Sequence, residues 1–153
     1  MTEEDKIDAI LEHIEHVQAN CKKVGRKLIR LGKAKLGRDL IRHGLIHDRS
    51  KLSGIEFAHL WAGDPLLSVA VHHHQTTNKH HPEYWDSIHE MPEEFIAEMV
   101  CDCCGRGSEM LTDTRTWFRE VATQKYGFNM KDEVGRKIEY YLDLLATPVF
   151  KQT

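Results

Sequence analysis

The apolar residues of this chain recur, over most of its length, at the spacing of an α-helix. In the N-terminal segment the i, i+3, i+4, i+7 pattern of a helix with one buried face is formed by Ile7, Ile10, Leu11, Ile14 and Val17. Thr2 is a candidate N-cap for this helix, because its hydroxyl can accept a hydrogen bond from the first turn. No segment alternates apolar and polar residues between hairpin turns, as a half-buried strand would. The sequence therefore predicts an all-α fold.

The boundaries of the later helices are predicted from capping residues. Helix starts are expected at Asp64-Pro65, Met91-Pro92, Thr112-Asp113 and Asp132. The helix that starts at Met91-Pro92 should end near Gly105 or Gly107, since glycine often follows the last turn. Another helix, with Leu40 on its apolar face, should continue into His47 and Asp48.

Length, charge and hydropathy exclude several broad classes of protein. A chain of 153 residues without repeats or linkers is most simply a single domain over residues 1–153. The formal net charge of -3 argues against bulk binding of nucleic acid, and the basic segment 22–30 is interpreted as a solvated helix face, with funnelling of an anionic substrate as the alternative. No apolar run approaches the roughly 18 residues that cross a bilayer, and the acidic N-terminus does not resemble a signal peptide. We therefore expect a cytoplasmic protein with no membrane partner, and homo-oligomer formation stays open.

Histidine is the most unusual component of the sequence. The chain has 11 histidines, and eight of them lie between His47 and His89. Five fall within the ten residues from His72 to His81. Imidazole is the commonest protein ligand for transition metals, and a neighbouring carboxylate can share or bridge such ions. This density predicts a metal site.

An aspartate occupies a helical position that should be buried. Asp102 lies seven residues after Phe95 and three after Met99, on the face predicted to point inward. A buried carboxylate is costly unless it is paired or coordinates a metal. The simpler alternative is a cap or an ion pair, and Arg106 is one helical turn away.

Three more polar residues have an inward helical phase. His47 lies seven residues after Leu40, and Asp48 three after Leu45, provided that their helix continues that far. On the first helix His13 lies at the edge of the apolar stripe, whereas His16 points towards solvent. A lone inward histidine is usually a hydrogen-bonded core residue. Four inward groups on three helices, together with the histidine cluster, favour a shared metal site.

These residues resemble a known signature. His13, then His47-Asp48, then Asp102 resembles the H…HD…D pattern of the HD superfamily of metal-dependent phosphohydrolases, and His-Asp-Arg-Ser-Lys resembles its HD-x-x-K variant. Together with the segment Asn-Lys-His-His-Pro-Glu-Tyr-Trp, the chain resembles a family of small HD-like proteins of unknown function from bacteria and phages, over roughly residues 8 to 120. The resemblance implies a single HD-domain-like helical bundle.

The resemblance also implies a ligand set. One divalent ion (Mn, Fe, Co, Ni, Zn or Mg) would be held by His13, His47, Asp48 and Asp102. In members with two ions, further histidines bind the second, and candidates here are His73, His74, His80 and His81. Since neighbours on a regular helix diverge by about 100°, we expect one histidine of each adjacent pair to face the centre, with Asp48 as the bridge. The alternative is that these histidines donate hydrogen bonds to a phosphate.

The activity implied is hydrolysis of a phosphate ester or anhydride, with a nucleotide as the expected small phosphorylated substrate. Asp48 and Lys51 are then the catalytic candidates, and Arg49, Lys51 and Asn78 the substrate-binding ones. The simpler alternatives are surface ion pairs for Arg49 and Lys51, and a turn or a hydrogen bond to a histidine for Asn78. Two other functions stay open: an HD-type di-iron oxygenase, and a metal-stabilised binding or regulatory module without turnover.

Overall fold

The computed structural model describes residues 1–146, and the rest of the predicted domain 1–153 lies outside the described residues. The α-helices are α1 (Glu3–Arg30), α2 (Ala34–Ile46), α3 (Gly54–His59), α4 (Leu67–Thr77), α5 (Glu93–Met110), α6 (Thr114–Trp117), α7 (Thr123–Tyr126) and α8 (Glu133–Leu145). A π-helical turn, Phe118–Ala122, joins α6 to α7, and short 3-10 segments span Arg49–Leu52, Pro82–Tyr84 and Ile88–Glu90. Residues 1–146 contain no strand, which confirms the all-α prediction.

Helix α1 is the longest element, and it packs against α2, α5 and α8. It begins with a capping box, in which the Thr2 hydroxyl accepts from the backbone N–H of Asp5 and the Asp5 carboxylate accepts from that of Thr2. Helix α2 returns antiparallel to it, with two glycines at the crossing. A Cβ on Gly25 would lie only 2.7 Å from the carbonyl oxygen of Gly37, so the two backbones approach as closely as they do because neither residue has a side chain.

The hydrophobic core lies between α1, α5 and α8. Its largest fully buried side chains include Leu28, Ile96, Phe118, Ile138 and Tyr141. Asp113 and Asp132 cap α6 and α8, as predicted, by accepting hydrogen bonds from the first turn of each helix. In residues 1–146 no helix combines the length and the apolar composition that a membrane span requires.

The predicted end of α5 is wrong. Helix α5 does not end near Gly105 or Gly107 but continues to Met110. Both glycines serve packing instead, since a Cβ at Gly105 would touch Val17 at 3.4 Å and the place of one at Gly107 is taken by Thr114. The chain leaves α5 through Leu111, which adopts the left-handed conformation at φ 55°.

The start of α4 also differs from the prediction. Helix α4 begins at Leu67, and Pro65 lies in the preceding turn rather than in the first helical position. Asp64 still acts as a local cap, because its Oδ1 accepts a hydrogen bond from the backbone N–H of Leu66 at 2.8 Å. Helix α4 carries His72, His73 and His74, and the turn after it carries His80 and His81.

Candidate metal centre

His47 and Asp48 reach the interior because α2 stops short of them. The helix ends at Ile46, and Leu45 and Ile46 are both half-exposed, so the inward phase predicted from Leu45 is wrong. His47 turns out of the helix, and Asp48 takes the left-handed conformation at φ 55°, which aspartate tolerates better than most residues. Both residues are only 2 % exposed. The end of the helix, not its periodicity, places the His-Asp pair at the centre.

The first potential ligand group combines four of the residues singled out by sequence. The Nε2 atoms of His13 and His47 lie 3.5 and 3.3 Å from Oδ2 of Asp48. They lie 2.9 and 3.6 Å from Oδ1 of Asp102. Ligand atoms about 2.1 Å from one ion are separated by about 3.0 Å at octahedral angles and about 3.4 Å at tetrahedral angles. The four observed separations lie within about 0.2 Å of that range, so the spacing of this group suits a divalent metal ion.

A second group shares Asp48 with the first. Oδ1 of Asp48 lies 3.4 Å from Nε2 of His74 and 3.3 Å from Nε2 of His80. His81 completes this group, whose ligand atoms all lie within 4.8 Å of one another. One oxygen of Asp48 therefore faces each group, which is the arrangement of a bridging carboxylate.

Three glutamates contact the Nδ1 atoms of the imidazole rings, on the side away from the Nε2 atoms that face the aspartates. Nδ1 of His13 lies 2.8 Å from Glu109, and Nδ1 of His74 lies 2.6 Å from Glu56. Metal-binding histidines characteristically donate their second ring N–H to such a carboxylate, which fixes the tautomer and the ring orientation.

Glu98 serves two rings at once. Its Oε2 lies 2.8 Å from Nδ1 of His47 and 3.0 Å from Nδ1 of His80. A third possible ligand group, formed by His47, His80 and Glu98, uses the same residues. Because the Nδ1 edges face glutamates, the Nε2 edges are left to converge on the two aspartates.

Several buried polar atoms at this centre have no hydrogen-bond partner. They are Nε2 of His47, His80 and His81 and Oδ1 of Asp48. A buried polar atom without a partner is costly, and native proteins rarely leave several together. Nitrogen and carboxylate donors that converge without partners are what a transition metal requires. The residues present therefore fit a metal ion.

The electrostatics of the centre also favour a positive charge there. Burial acts to raise the pKa of Asp48 and Asp102, but the charge of His47 and the close approach of the surrounding imidazoles outweigh it and hold both pKa values well below the usual range. Burial acts to lower the pKa of His13, but hydrogen bonds to Asp102 and Asp48 raise it to about 9. In His81 burial prevails, reinforced by the neighbouring charge of His80, and lowers the pKa to about 3. At neutral pH His81 is therefore already neutral, whereas His13 would release its proton on binding a metal ion.

The centre forms part of the wall of a cavity of about 690 Å³. Side chains of both ligand groups line it, among them His13, Asp48 and His74. Lys51 also lines the cavity, and its Nζ lies 3.0 Å from Oδ2 of Asp48. The remaining wall is largely apolar and includes Ile10, Leu60, Trp61, Met110 and Trp117. A volume of this size accommodates a small organic molecule beside the ligand groups.

Three of the predicted site residues lie elsewhere. His73 is outside both ligand groups, since its side chain is half-exposed and its Nδ1 contacts Glu56. Arg49 points away from the cavity, because its guanidinium donates to the carbonyl oxygen of Leu45. Asn78 does not line the cavity. It donates to Ser50 and to the carbonyl oxygen of His74, so it supports the end of α4.

The expectation that only one of His80 and His81 faces the centre is wrong. Both belong to the second group. The rule that neighbours diverge by about 100° applies to a regular helix, and these residues lie in a turn after α4. For His73 and His74, which are helical, only His74 faces the centre, as that rule requires.

Several functional candidates were missed by sequence reasoning. They are Glu56, Glu98 and Glu109 beside the rings, and Trp61, Arg106 and Trp117 in the cavity wall. Tyr84 and Trp85 do not line the cavity. Glu98 and Glu109 carried a signal, since they lie four residues before and seven after Asp102 on the same face of α5.

Comparisons with known proteins give one family. Neither the curated proteins nor the solved structures contain a match to the chain. A family model described as a family of unknown function (DUF5662) matches residues 58–144. The match includes His74, His80, His81 and Asp102, whereas His13, His47 and Asp48 precede it. Since the match covers more than half of its residues, the chain belongs to the DUF5662 family.

Proposed function

We propose that this protein is a metal-dependent phosphohydrolase of HD type that acts on a phosphate ester or anhydride. The observation that carries the proposal is Asp48, whose two oxygens face two histidine-rich ligand groups beside a cavity that also contains Lys51. His13, His47, Asp48 and Asp102 would hold one ion, and Asp48, His74, His80 and His81 a second. The donor set of nitrogen and carboxylate favours Mn, Fe, Co, Ni or Zn over Mg.

A divalent ion bound there would supply Lewis-acid polarisation of a phosphoryl oxygen and a bound water of lowered pKa. The chain's own residues supply the remaining functions. Lys51 is held by Asp48 with its ammonium group at the cavity wall, where it can neutralise charge that develops on the phosphoryl oxygens. The buried glutamates keep the rings oriented with Nε2 towards the reacting region.

The cavity wall supports an organic phosphate, with a nucleotide as the preferred substrate. Trp61 and Trp117 offer ring surface for a nucleobase. The indole N–H of Trp61 donates to the carbonyl oxygen of Phe57 at 2.7 Å, so the orientation of that ring is fixed. Arg106 provides a second cation in the wall, with a half-exposed side chain that can reach a distal phosphate.

The proposal is tested by a turnover screen with one substitution and a matched control. Protein reconstituted separately with Mn, Fe, Co, Ni, Zn and Mg is assayed on nucleotides and on a generic phosphoester. Lys51→Met should lower turnover on the order of 100-fold while metal content stays unchanged. Arg49→Met, two residues away but outside the cavity, should leave turnover intact. If no phosphorylated compound is turned over with any metal, the hydrolase proposal fails.

An HD-type di-iron oxygenase is the second candidate, because a carboxylate shared by two histidine-rich groups also suits two irons. Lys51 favours the hydrolase, since an ammonium group beside the ligands suits a phosphate better than dioxygen. Anaerobic iron loading followed by Mössbauer spectroscopy and oxygen-consumption measurements separates the two. Oxygen uptake coupled to substrate oxidation, without phosphate release, would favour the oxygenase.

A further inference from the structure

The α1–α2 hairpin carries a charge opposite to that of the rest of the chain. Nine of the chain's 21 lysines and arginines lie between residues 22 and 42, together with a single acidic residue, Asp39. The chain as a whole has a net charge of -3, so its remaining residues are strongly acidic. A local concentration of cations on an acidic protein indicates a surface for a polyanion.

Most of these cations point to solvent. The seven exposed ones, which we call the basic face, are Lys22, Arg26, Arg30, Lys33, Lys35, Arg38 and Arg42. The other two, Lys23 and Lys27, donate to carbonyl oxygens at the end of α8. Since α1 and α2 cross at Gly25 and Gly37 and both pack against α5, their exposed side chains share the outer surface of the hairpin.

Few charges of the basic face are neutralised within the protein. Asp39 accepts from Lys35 at 2.7 Å and from Arg42 at 3.2 Å. The other five members form no ion pair with any part of the chain between residues 1 and 146. Lys33 instead lies 4.6 Å from the ring centre of Tyr140. The face therefore presents positive charge that an external anion can neutralise.

We propose that the basic face binds the phosphate backbone of a duplex nucleic acid without reading its sequence. A duplex carries about one negative charge per 1.7 Å of its axis, and release of its counterions drives binding to such a surface. Four of the seven cations are arginines, whose planar guanidinium matches phosphate.

The composition of the hairpin favours a duplex over other polyanions. No Phe, Tyr or Trp occurs between residues 22 and 42, so this segment offers no ring on which unpaired bases could stack. Interfacial helices that bind anionic membranes usually carry such aromatic residues on an apolar face as well. None of the seven residues lines the cavity. The proposal therefore stands independently of the proposed phosphohydrolase activity.

Binding is tested by fluorescence anisotropy with a labelled 20-base-pair DNA duplex of arbitrary sequence. Contacts from the five unpaired cations predict that log affinity falls against log salt concentration with a slope of about -4.5. Replacing Lys22, Arg26 and Arg38 together by glutamate should weaken binding at least about 100-fold at 50 mM salt and reduce the slope to about -2. The corresponding glutamine variant, which adds no negative charge, should show a smaller loss with the same reduced slope.

A matched control separates the basic face from net charge. Lys79, Lys125 and Lys131 are exposed on other parts of the chain, and their combined replacement by glutamate changes the net charge by the same amount. The affinity of the control variant for the duplex should fall less than about fivefold. Circular dichroism should show that all variants retain their helices. The proposal would be overturned by equal losses of affinity in the two sets of variants, or by no duplex binding of the unchanged protein at 50 mM salt. A preference for single strands or anionic vesicles would also overturn it.

Discussion

Glu98 is the group whose replacement tests the metal centre most directly. Its carboxylate is buried, with a side chain 5 % exposed, and one oxygen lies within 3.0 Å of Nδ1 of both His47 and His80. When Nε2 binds a metal, each Nδ1 carries the ring proton and donates it. Glu98→Gln keeps the shape of the side chain but removes its charge and one of its two acceptor oxygens.

The expected loss follows from these two contacts. The amide oxygen of glutamine, in the place of Oε2, can still accept from both rings, but through neutral hydrogen bonds instead of charge-assisted ones. A hydrogen bond to a charged group contributes about 1.5–3 kcal/mol and a neutral one about 0.5–1.5 kcal/mol, so weakening both contacts costs about 2–3 kcal/mol. Loss of a carboxylate partner behind a ligand typically weakens metal affinity 10- to 100-fold, and 100-fold corresponds to about 2.8 kcal/mol. We therefore expect metal binding by Glu98→Gln to be weaker by nearly 100-fold.

The assay is a competition titration of cobalt or zinc against a chelator of known affinity. The matched control is Glu94→Gln, one turn earlier on α5, whose carboxylate is partly exposed and lies near His43 outside the ligand groups. The control should change metal affinity less than about threefold. Equal affinities for Glu98→Gln and the unchanged protein would refute the assignment of Glu98 as the partner of the two rings.

Two further predictions address the ligands and the core. Asp102→Asn should abolish tight metal binding, measured by elemental analysis after dialysis. The control His16→Gln should retain the metal, since the His16 side chain is 41 % exposed. Equal metal content in the two variants would contradict the ligand set. Phe118→Ala should destabilise the fold by about 3–5 kcal/mol, since Phe118 is fully buried in the π-helical turn. That loss should lower the melting temperature by about 10 °C, and a decrease below about 3 °C would show that the turn repacks.

The helical phase of the sequence located part of the centre. His13 and Asp102 were selected because they fall on the inward faces of their helices, and both lie in the first ligand group. The same argument extends to residues that were overlooked. Glu98 and Glu109 share the face of Asp102, so a helix with three carboxylates on its buried side should have indicated groups that hold histidine rings.

Other parts of the centre do not depend on helical phase. Glu56 lies on the six-residue helix α3, which is too short to show a periodic pattern, yet its carboxylate is almost fully buried between Ser50, His73 and His74. His80 and His81 lie in a turn, where consecutive side chains can converge. These contacts depend on packing between distant parts of the chain, which cannot be predicted from the local spacing of residues.

Asp48 shows most clearly why the whole site could not be predicted from the sequence. A continued helix would have placed its carboxylate at a fixed angle to Leu45, which is exposed, and therefore towards solvent. A left-handed residue instead reverses the chain at the end of α2, at a cost of about 1–2 kcal/mol for a residue other than glycine. Such strain persists only where surrounding interactions stabilise it, and here both carboxylate oxygens are surrounded by imidazoles and Lys51. The same strained turn that brings Asp48 between the two histidine groups thus makes one carboxylate available to both.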